Sequence, residues 1–462
     1  MTKRQLILLL CGAIVFFGIT VTVKAGTVYK GYIMCASGST AYLLDTAGKK
    51  VHSWAADENI RNQAYLLPDG SVVCGIQHCN SPSIDGAYPG GRFQKIDKDN
   101  NVTWDYSFCP DSACCEYDIE PLPNGNILVP ADASGSSGLS MIYEIQPSGT
   151  SGGSVVWSCR LPDSLGQICN SSGGGFGGGG CTYVNSVKYN KDLDRIVIDM
   201  NTPAMRLVVI DHSVSGGKIL YTYKVSSSHQ SGGTTNYRVH AANWSTKYYL
   251  GTDSIIPNAD TSAMRLNNIM VVYNGAGKIV EVNPTKNTLV KSISYSFASN
   301  EGSVQHLPNG NWFVAKGINS NVIAELDSTG TSLQTYTAPT SHMVGGGGIQ
   351  RAYKYGMSYA GLKALGITTS IEEQKQEASV RKINTGKFTY NASANTGDFS
   401  MANSSGSQIV LQIFSVGGKK IYSAKTNTEH IFFSTEKMMP GIYYIKVNHT
   451  TGNYATRIVK MM

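Results

Sequence analysis

The stretch Leu43-Leu44-Asp45-Thr46-Ala47-Gly48, which runs on to Trp54, decides the fold because the same pattern returns five more times. Each copy has an apolar run, a turn rich in Asp, Asn, Pro or Gly, and a second run that usually ends on an aromatic residue. The other copies begin at Lys95, Glu144, Val209, Glu281 and Glu325 and end at Trp104, Trp157, Tyr221, Tyr295 and Tyr336. Turn residues between alternating apolar and polar positions are typical of a β-hairpin.

A second, out-of-phase hairpin lies between successive copies. It is clearest at Leu67-Pro68-Asp69-Gly70-Ser71, Leu122-Pro123-Asn124-Gly125-Asn126 and Leu307-Pro308-Asn309-Gly310-Asn311. Two hairpins make four strands in about 40–50 residues, the spacing of a β-propeller blade. The sequence therefore predicts an all-β chain with a six-bladed β-propeller over residues 26–365. Since ring closure removes exposed sheet edges, residues 27–34 are expected to share a blade with residues 349–355.

Composition agrees with a turn-rich β protein rather than a helical or disordered one. Among 462 residues, 50 are Gly and 26 are Tyr, while only 15% are charged. The net charge of +7 is spread without a basic run, which argues against a nucleic-acid partner.

Residues 1–25 have the layout of a secretory signal peptide. Lys3 and Arg4 precede an apolar run from Leu6 to Val23, and Ala25 is a small residue suited to cleavage. The alternative is an uncleaved N-terminal membrane anchor, since the apolar run is nearly long enough to span a bilayer.

Nine cysteines remain after the leader, and an exported protein is expected to use clustered cysteines in disulfides. The predicted local pairs are Cys74 with Cys79, Cys109 with Cys114 or Cys115, and two of Cys159, Cys169 and Cys181. The odd count leaves one thiol unpaired. Cys74, His78 and Cys79 also have the spacing of metal ligands, but a disulfide is favoured and no metal site is predicted.

Several segments fall outside the blade pattern. Residues 166–182 and 226–239 are rich in Gly and Ser, and they are interpreted either as rim loops that bind a partner or as surface linkers. Residues 97–101 contain oxygen-bearing side chains but lack the later Gly and Glu of a calcium loop, so they are interpreted as a turn. Residues 366–385 are a polar linker, and residues 386–462 alternate as the strands of a small C-terminal β-sandwich do.

The tail resembles the type A C-terminal sorting domain of the type IX secretion system. The resemblance rests on residues 413–419, on Met439-Pro440-Gly441-Ile442-Tyr443-Tyr444, and on the closing Arg457-Ile458-Val459-Lys460. It implies contact with the secretion machinery, passage through the periplasm, delivery to the cell surface or medium, and removal of the tail. The alternative is a binding module that stays attached.

The body resembles the aryl-sulfate sulfotransferase family. Matching stretches include Asp118-Ile119-Glu120-Pro121, Val184-Asn185-Ser186-Val187, His240-Ala241-Ala242-Asn243-Trp244 and Arg351-Ala352-Tyr353-Lys354-Tyr355. The resemblance implies a six-bladed propeller that moves sulfate from a phenolic sulfate ester to a phenol acceptor through a sulfated histidine. No nucleotide donor and no cofactor are implied. The histidine in the motif position is His240.

The pocket departs from the family pattern at three positions. Tyr183 replaces a histidine before the retained Asn185, Tyr117 replaces another before Asp118, and the position of a sulfate-binding arginine falls near Met200. Phenols donate hydrogen bonds to an oxyanion but carry no positive charge. Losing one preorganised donor costs roughly 10²–10³ in rate. His229, Arg238 and His306 are candidates to compensate, and each is also interpretable as an ordinary polar residue.

Two functional hypotheses follow. The first is an exported sulfotransferase-like enzyme with His240 as nucleophile and Asn185, Tyr183 and Tyr117 in the pocket. The second is a non-catalytic surface propeller that binds a glycan or protein partner, or associates with itself. Convergence of the four residues on one central cavity is the structural feature that separates the two.

Overall fold

The computed structural model describes residues 26–76, 91–108, 113–115, 118–133, 140–165, 184–200, 206–224, 239–249, 252–256, 264–298, 300–339, 348–367, 386–391, 396–401, 407–415, 420–434, 438, 441–449 and 452–460. The chain divides into two compact units, residues 1–367 and residues 368–462.

In the described part of the first unit, six antiparallel sheets contain four or more strands each. Sheet 1 contains β1 (Gly31–Ser37), β2 (Thr40–Leu44), β3 (Lys50–Ala55) and β27 (Ala352–Gly356). Sheet 2 contains β4 (Ile60–Leu66), β5 (Val72–Ile76), β6 (Arg92–Ile96) and β7 (Val102–Ser107). Sheet 3 contains β8 (Ala113–Cys115), β9 (Glu120–Pro121), β10 (Ile127–Ala133), β11 (Met141–Ser148) and β12 (Gly152–Arg160).

The remaining sheets follow in chain order. Sheet 4 contains β13 (Val184–Asn190), β14 (Arg195–Met200), β15 (Arg206–Asp211) and β16 (Lys218–Lys224). Sheet 5 contains β17 (Val239–Trp244), β18 (Ile269–Tyr273), β19 (Lys278–Asn283) and β20 (Thr288–Ser294). Sheet 6 contains β21 (Ser303–His306), β22 (Trp312–Ala315), β24 (Val322–Leu326) and β25 (Ser332–Thr337), while β23 (Gly317–Ile318) pairs with β26 (Gly348–Ile349).

The six hairpins predicted from the sequence are all present, as the last two strands of the six sheets. Each hairpin also contains a register shift at the equivalent position, such as Leu43/Leu44 in sheet 1 and Glu325/Leu326 in sheet 6. A bulge of this kind bends a strand and increases its twist. The repeat is therefore structural as well as sequential.

The sheets contact one another in chain order, and the circuit of contacts closes. β1 contacts β4, β7 contacts β12, β10 contacts β13, β13 contacts β17, β17 contacts β21, and β21 contacts β27. The expected pairing of the chain ends is confirmed, because β1 pairs with β27 with Tyr32 opposite Tyr355 and Met34 opposite Tyr353. The first and last strands of the unit thus share one sheet.

The short helix α1 (Ala360–Ala364) follows β27. It packs near the β4–β5 hairpin, where the Tyr359 hydroxyl donates to the Leu66 carbonyl at 2.7 Å. The rings of Tyr249, Tyr355 and Tyr359 contact one another with centroids 4.7–6.2 Å apart.

The predicted disulfide between Cys74 and Cys79 is wrong, since Cys74 is a free thiol in the buried centre of β5. Its Sγ lies 3.9 Å from the Gln94 carbonyl, and burial raises its pKa to about 12. Cys35 and Cys159 are also buried free thiols, so Cys159 is not in the third predicted pair. Cys79, Cys109, Cys169 and Cys181 lie outside the described residues, as do most of the two Gly/Ser-rich insertions.

The second unit contains two antiparallel sheets. One has β28 (Gly386–Asn391), β29 (Thr396–Met401) and β32 (His430–Ser434); the other has β30 (Ile409–Ser415), β31 (Lys420–Thr426), β33 (Gly441–His449) and β34 (Gly452–Lys460). Ile431 and Phe433 of the first sheet share a buried core with Leu411, Ile413 and Ile445 of the second. Alternating apolar positions on both sheets therefore face each other.

Candidate functional site

His240 is the second residue of β17 and is 6% exposed. The pairing of β17 with β18 shifts register between His240 and Asn243, and Ala241 has a φ of 55°. A non-glycine residue in this left-handed region is uncommon and marks a local distortion held by its surroundings. The predicted nucleophile therefore lies on a bulge rather than on a regular strand.

Asn185 occupies the corresponding second position of β13 in the neighbouring sheet. Its side-chain amide donates to the carbonyl of Val239 at 2.9 Å, directly before His240. The structure thus places the Asn185 side chain against the residue before His240. Tyr183 and Tyr117 lie outside the described residues, as do His229 and Arg238.

The bulge in β17 is supported from sheet 4 by Asp199 and Ser186. The Ala242 N–H donates to Asp199 Oδ1 at 3.3 Å, and the Ser186 hydroxyl donates to the same oxygen. Asp199 is fully buried, and burial raises its pKa to about 7 against the opposing charge of Arg351. The bulge is therefore attached to a carboxyl group that titrates near neutral pH.

A second buried carboxylate, Asp118, is the centre of an ionic cluster that joins four sheets. Its Oδ2 lies 2.7 Å from Lys188 Nζ in sheet 4 and 2.5 Å from Arg351 Nη1, next to β27 in sheet 1. The Val187 N–H donates to the same oxygen at 3.1 Å, and Gln63 in sheet 2 donates to Oδ1 at 3.0 Å. A carboxylate with this many donors has its hydrogen-bonding capacity filled by the protein.

Arg351 connects this cluster to the predicted site. Its Nη2 donates to the backbone carbonyl of Asn185 at 2.6 Å, and the side chain is only 3% exposed. Asp118, Arg351, Asn185 and His240 all lie at or just before the start of strands along which neighbouring sheets contact each other. Asn185, one of the two described residues of the predicted site, therefore contacts the Arg351 guanidinium. That guanidinium is already bound by Asp118 and by the Asn185 carbonyl.

Glu120 and Tyr65 extend the cluster further along the strands. The Tyr65 hydroxyl donates to Glu120 Oε2 at 2.6 Å, and Lys188 Nζ lies 3.5 Å from that oxygen. Burial raises the pKa of Glu120 to about 7 even though Lys188 opposes the shift. Lys188 also lies 5.4 Å from the centroid of the Tyr65 ring, a cation–π distance. Lys188 is thus held by Asp118, Glu120, the Val187 carbonyl and an aromatic face.

Sheets 5, 6 and 1 are joined by further side-chain bonds. Asn243 in β17 donates to the Val304 carbonyl at 3.2 Å, and the Ser303 hydroxyl accepts from the Ala352 N–H at 3.0 Å. Gln305 accepts from the Lys354 N–H at 2.7 Å. Polar side chains on these strands therefore serve contacts between sheets.

His306, one of the three residues considered as replacements for the lost pocket groups, is buried away from solvent at the end of β21. Its Nδ1 lies 2.6 Å from the Met264 carbonyl and 3.1 Å from the Ser245 hydroxyl, and its ring stacks on Trp312. Burial lowers its pKa to about 4, so the imidazole is neutral at physiological pH. These contacts give His306 a packing role.

Reasoning from the sequence missed the cluster around Asp118. Asp118, Lys188 and Arg351 all stand in or beside the stretches that carry the family resemblance, where nothing local separates them from the polar residues of ordinary hairpins. The sequence signal that could have indicated a buried ion pair is a charged residue inside or beside a strand of apolar and small residues. Lys188 in Val184-Asn185-Ser186-Val187-Lys188 is an example. Such residues are seldom buried unless they are paired.

The chemistry of the site follows from how its cations are held. Sulfate transfer needs donors that are free to bind sulfate oxygens while charge moves to the leaving phenoxide. Here Arg351 and Lys188 both contact Asp118, and each also donates to a backbone carbonyl. The described part of the site thus resembles a closed salt-bridge network with a histidine and an asparagine at its border.

The fold defines an all-β protein with multiple four-stranded antiparallel sheets, an arrangement consistent with propeller blades. Residues 391–461 match the family model of the secretion system C-terminal sorting domain. This domain marks proteins that the type IX system exports to the cell surface or the medium. The chain is therefore an exported protein, and its second unit interacts with the type IX machinery.

Comparison with solved structures gives distant similarities. A Bacteroides caccae protein of unknown function is 12% identical, with 70% of this chain and 98% of that chain covered and a TM-score of 0.46. The hydrazine synthase of Kuenenia stuttgartiensis is 10% identical, with 62% and 77% covered and a TM-score of 0.41. Apo AztD from Citrobacter koseri is 9% identical, with 88% and 98% covered and a TM-score of 0.35.

No curated protein matches the chain. Within the described ranges, no helix is both long enough and apolar enough to cross a membrane.

Proposed function

We propose that the six sheets of the first unit form a six-bladed β-propeller and that the second unit is a C-terminal β-sandwich. We further propose that the exported propeller binds a partner and does not catalyse sulfate transfer at the His240 site. Its partner is a glycan, a protein or another copy of the chain. The observation that carries the proposal is the Asp118 carboxylate, which contacts both Lys188 and Arg351.

The propeller part of the proposal is supported by the repeat and by the closed circuit of sheet contacts. Six equivalent hairpins carry the same register shift, and sheet 6 contacts sheet 1 through β21 and β27. In a propeller each blade buries its faces only against its neighbours, so closure of the ring is needed to cover the last one.

The non-catalytic part is supported by the energetics of the cluster. A sulfate group that takes Arg351 or Lys188 as a ligand must displace Asp118, a carboxylate with no exposed side-chain surface. Breaking a buried ion pair costs about 3–5 kcal/mol, because it leaves an uncompensated buried charge. The cluster therefore disfavours binding of a second anion at its centre.

The second candidate function is sulfotransfer of the aryl-sulfate sulfotransferase type. It is favoured by the contact of Asn185 with the residue before His240, because these two positions match the family motif. In this reaction an imidazole nitrogen of His240 attacks the sulfur, the S–O bond to the phenol breaks, and phenoxide leaves. The sulfuryl group then passes to the oxygen of the acceptor phenol, the N–S bond breaks, the acceptor's proton is released to the departed phenoxide or to water, and the imidazole is regenerated.

One assay separates the candidates. The purified exported chain is incubated with 4-nitrophenyl sulfate and phenol, and nitrophenolate release is followed by absorbance. We expect no release above that of the His240→Ala variant. Release that His240→Ala abolishes, and that the matched control His52→Ala on sheet 1 retains, establishes the enzyme and overturns the non-catalytic proposal.

The binding role has its own measurements. Sedimentation velocity over a range of protein concentrations detects self-association, and a glycan array together with crosslinking on intact cells detects the other partners. Saturable binding that persists in His240→Ala supports the proposal. The proposal is contradicted if sedimentation, the glycan array and crosslinking all detect no binding while the chain releases nitrophenolate in a His240-dependent way.

A further inference from the structure

Residues 26–30 precede β1, and their backbone groups bond to side chains of sheet 6. The Thr27 carbonyl accepts from the side-chain amides of Asn309 and Asn311, both at 2.9 Å. The Tyr29 N–H donates to Glu325 Oε1 at 2.6 Å. Three hydrogen bonds therefore hold the start of the described chain on the sixth sheet, while the next strand belongs to the first.

Gly26 stands beside an acidic turn in sheet 6. A Cβ added at Gly26 would lie 3.2 Å from Asp327 Cβ, 3.2 Å from Leu333 Cδ1 and 3.4 Å from Asn311 Oδ1. These distances are tighter than ordinary contacts, so a residue without a side chain allows the backbone to approach Asp327 this closely.

Asp327 is held as an anion. Burial acts to raise its pKa, but hydrogen bonds from Thr329 and Thr331 outweigh burial and lower the pKa. Those bonds reach Asp327 Oδ1 from the Thr329 N–H at 2.8 Å and the Thr331 N–H at 3.0 Å. A carboxylate fixed in this way is a suitable partner for a nearby cation.

The sequence predicts leader cleavage near Ala25, immediately before this segment. Hydrolysis of the bond between Ala25 and Gly26 by a leader peptidase consumes one water, leaves a carboxylate on Ala25 and creates an α-ammonium group on Gly26. The new cation then belongs to Gly26, the residue whose Cβ position lies 3.2 Å from Asp327 Cβ. Capture of a chain terminus by surrounding polar groups is a known mode of recognition.

We propose that sheet 6 contains a binding site for the chain's own N-terminal α-ammonium, formed by the Asp327 carboxylate and Asn311 Oδ1 and filled only after processing at Gly26. The occupied site holds residues 26–30 on sheet 6, directly before β1 of sheet 1. The link between the first and sixth sheets is therefore completed only when the leader is removed during export. This inference is independent of whether the propeller binds a partner or transfers sulfate.

The test compares full-length chains that differ at the terminus. One begins at Gly26, one carries a single alanine before Gly26, and both are also prepared with Asp327→Asn. Asp45→Asn is the matched control, because Asp45 Oδ1 accepts from the residues two and four positions later in the equivalent turn of sheet 1. Thermal unfolding midpoints are measured from pH 6 to pH 10, and the mass of the exported protein gives its natural first residue.

We expect the exported chain to begin at Gly26 and, near pH 6.5, to unfold about 1–3 °C above the extended chain. Asp327 raises the pKa of the amine, so the stabilisation is present below the ordinary value of about 8 and is lost as pH rises through the folded value. Asp327→Asn removes the difference between the two chains and Asp45→Asn keeps it. A different natural first residue, equal midpoints at pH 6.5, or a difference that survives Asp327→Asn overturns the proposal.

Discussion

At the scale of single residues, Asp118 is the group on which the site depends. It contacts Lys188 in sheet 4 and Arg351 beside sheet 1, and all three side chains are at most 3% exposed. Two cations around one carboxylate are stable only while that carboxylate is charged, because a buried charge without a partner is costly. The contacts that Asp118 makes with sheets 4 and 1 therefore depend on the charge of its carboxylate.

Asp118→Asn tests this coupling. The substitution keeps the shape but removes the charge, which leaves Lys188 and Arg351 without their shared partner, and we expect a loss of about 3–5 kcal/mol in unfolding free energy. Urea unfolding at pH 7 is the measurement. Asp45→Asn, in an exposed turn, is the control and should change stability by less than about 0.5 kcal/mol. A loss for Asp118→Asn no larger than that of the control would show that the cluster is not structural.

Asp199 makes a prediction about pH. Burial raises its pKa from 3.8 to about 7, so the folded state favours the protonated form. Its contribution is full below the unfolded pKa and is lost as pH rises through about 7. Asp199→Asn imitates the protonated group, and we expect the variant to gain roughly 1–3 kcal/mol relative to the unmodified protein between pH 5 and pH 8.5.

Unfolding in urea at the two pH values measures the difference. If Asp199→Asn and the unmodified protein change in parallel with pH, Asp199 is not the group that titrates.

At the scale of structural elements, the hairpins were predictable and the contacts between them were not. The turn at Asp45 and the equivalent turn at Asp327 are encoded within a few residues, since each Asp accepts from backbone N–H groups two and four positions later. Asp118, by contrast, contacts Gln63, Lys188 and Arg351, which are 55, 70 and 233 positions away. No local pattern specifies such a meeting.

The predicted site stays a prediction. A family motif pointed to His240 and Asn185, and the structure shows the Asn185 side chain bonded to the residue before His240. The predicted disulfide at Cys74 is wrong because sequence distance and compartment favour a nearby cysteine but say nothing about the direction of the side chain. In β5 that side chain is in the buried core.

A repeated acidic position joins neighbouring elements. Glu144, Glu281 and Glu325 begin three of the six hairpin repeats, and each accepts from an asparagine of the preceding hairpin. Each also contacts a cationic or imidazole group: His212, Arg265 and Lys354 respectively. The turn repeat visible in the sequence thus also repeats a polar contact, in which a buried glutamate binds an asparagine and a cationic or imidazole side chain. We call this set of three side chains a clamp.

His212 makes the clamp between sheets 3 and 4 sensitive to pH. Its Nε2 lies 2.8 Å from Glu144 and its Nδ1 lies 2.8 Å from Asp194. Burial acts to lower the pKa of His212, but the hydrogen bonds with Glu144 and Asp194 outweigh it and raise the pKa above 6.5. The stabilisation is therefore present below pH 6.5 and is lost as pH rises through the folded value.

We expect His212→Gln to cost about 1–2 kcal/mol at pH 5.5 and clearly less at pH 8.5, as measured by urea unfolding. His52→Gln is the control, because burial lowers the pKa of His52 and its pH trend has the opposite sign. A cost for His212→Gln that is equal at both pH values contradicts the clamp.

At the scale of the whole molecule, the two units make separate predictions. Residues 26–367 contain every described sheet of the first unit, and β27 pairs with β1. We expect a chain that stops at residue 367 to unfold cooperatively with nearly the same midpoint as the first unit of the full protein. A chain that stops at residue 350 lacks Arg351 and β27, and we expect it to lose cooperative unfolding.

Circular dichroism and calorimetry of the two truncated chains provide the comparison. Cooperative unfolding of the chain that ends at residue 350 would show that the pairing of β1 with β27 is dispensable.

The proposal depends on Asp118 holding both Lys188 and Arg351, the two buried cations of the described part of the site. The most direct measurement is the thermal midpoint of the exported protein against increasing 4-nitrophenyl sulfate at constant ionic strength, since a ligand that binds the folded state raises the midpoint. We expect a midpoint that does not change up to millimolar concentrations. A saturable rise that His240→Ala removes would contradict it.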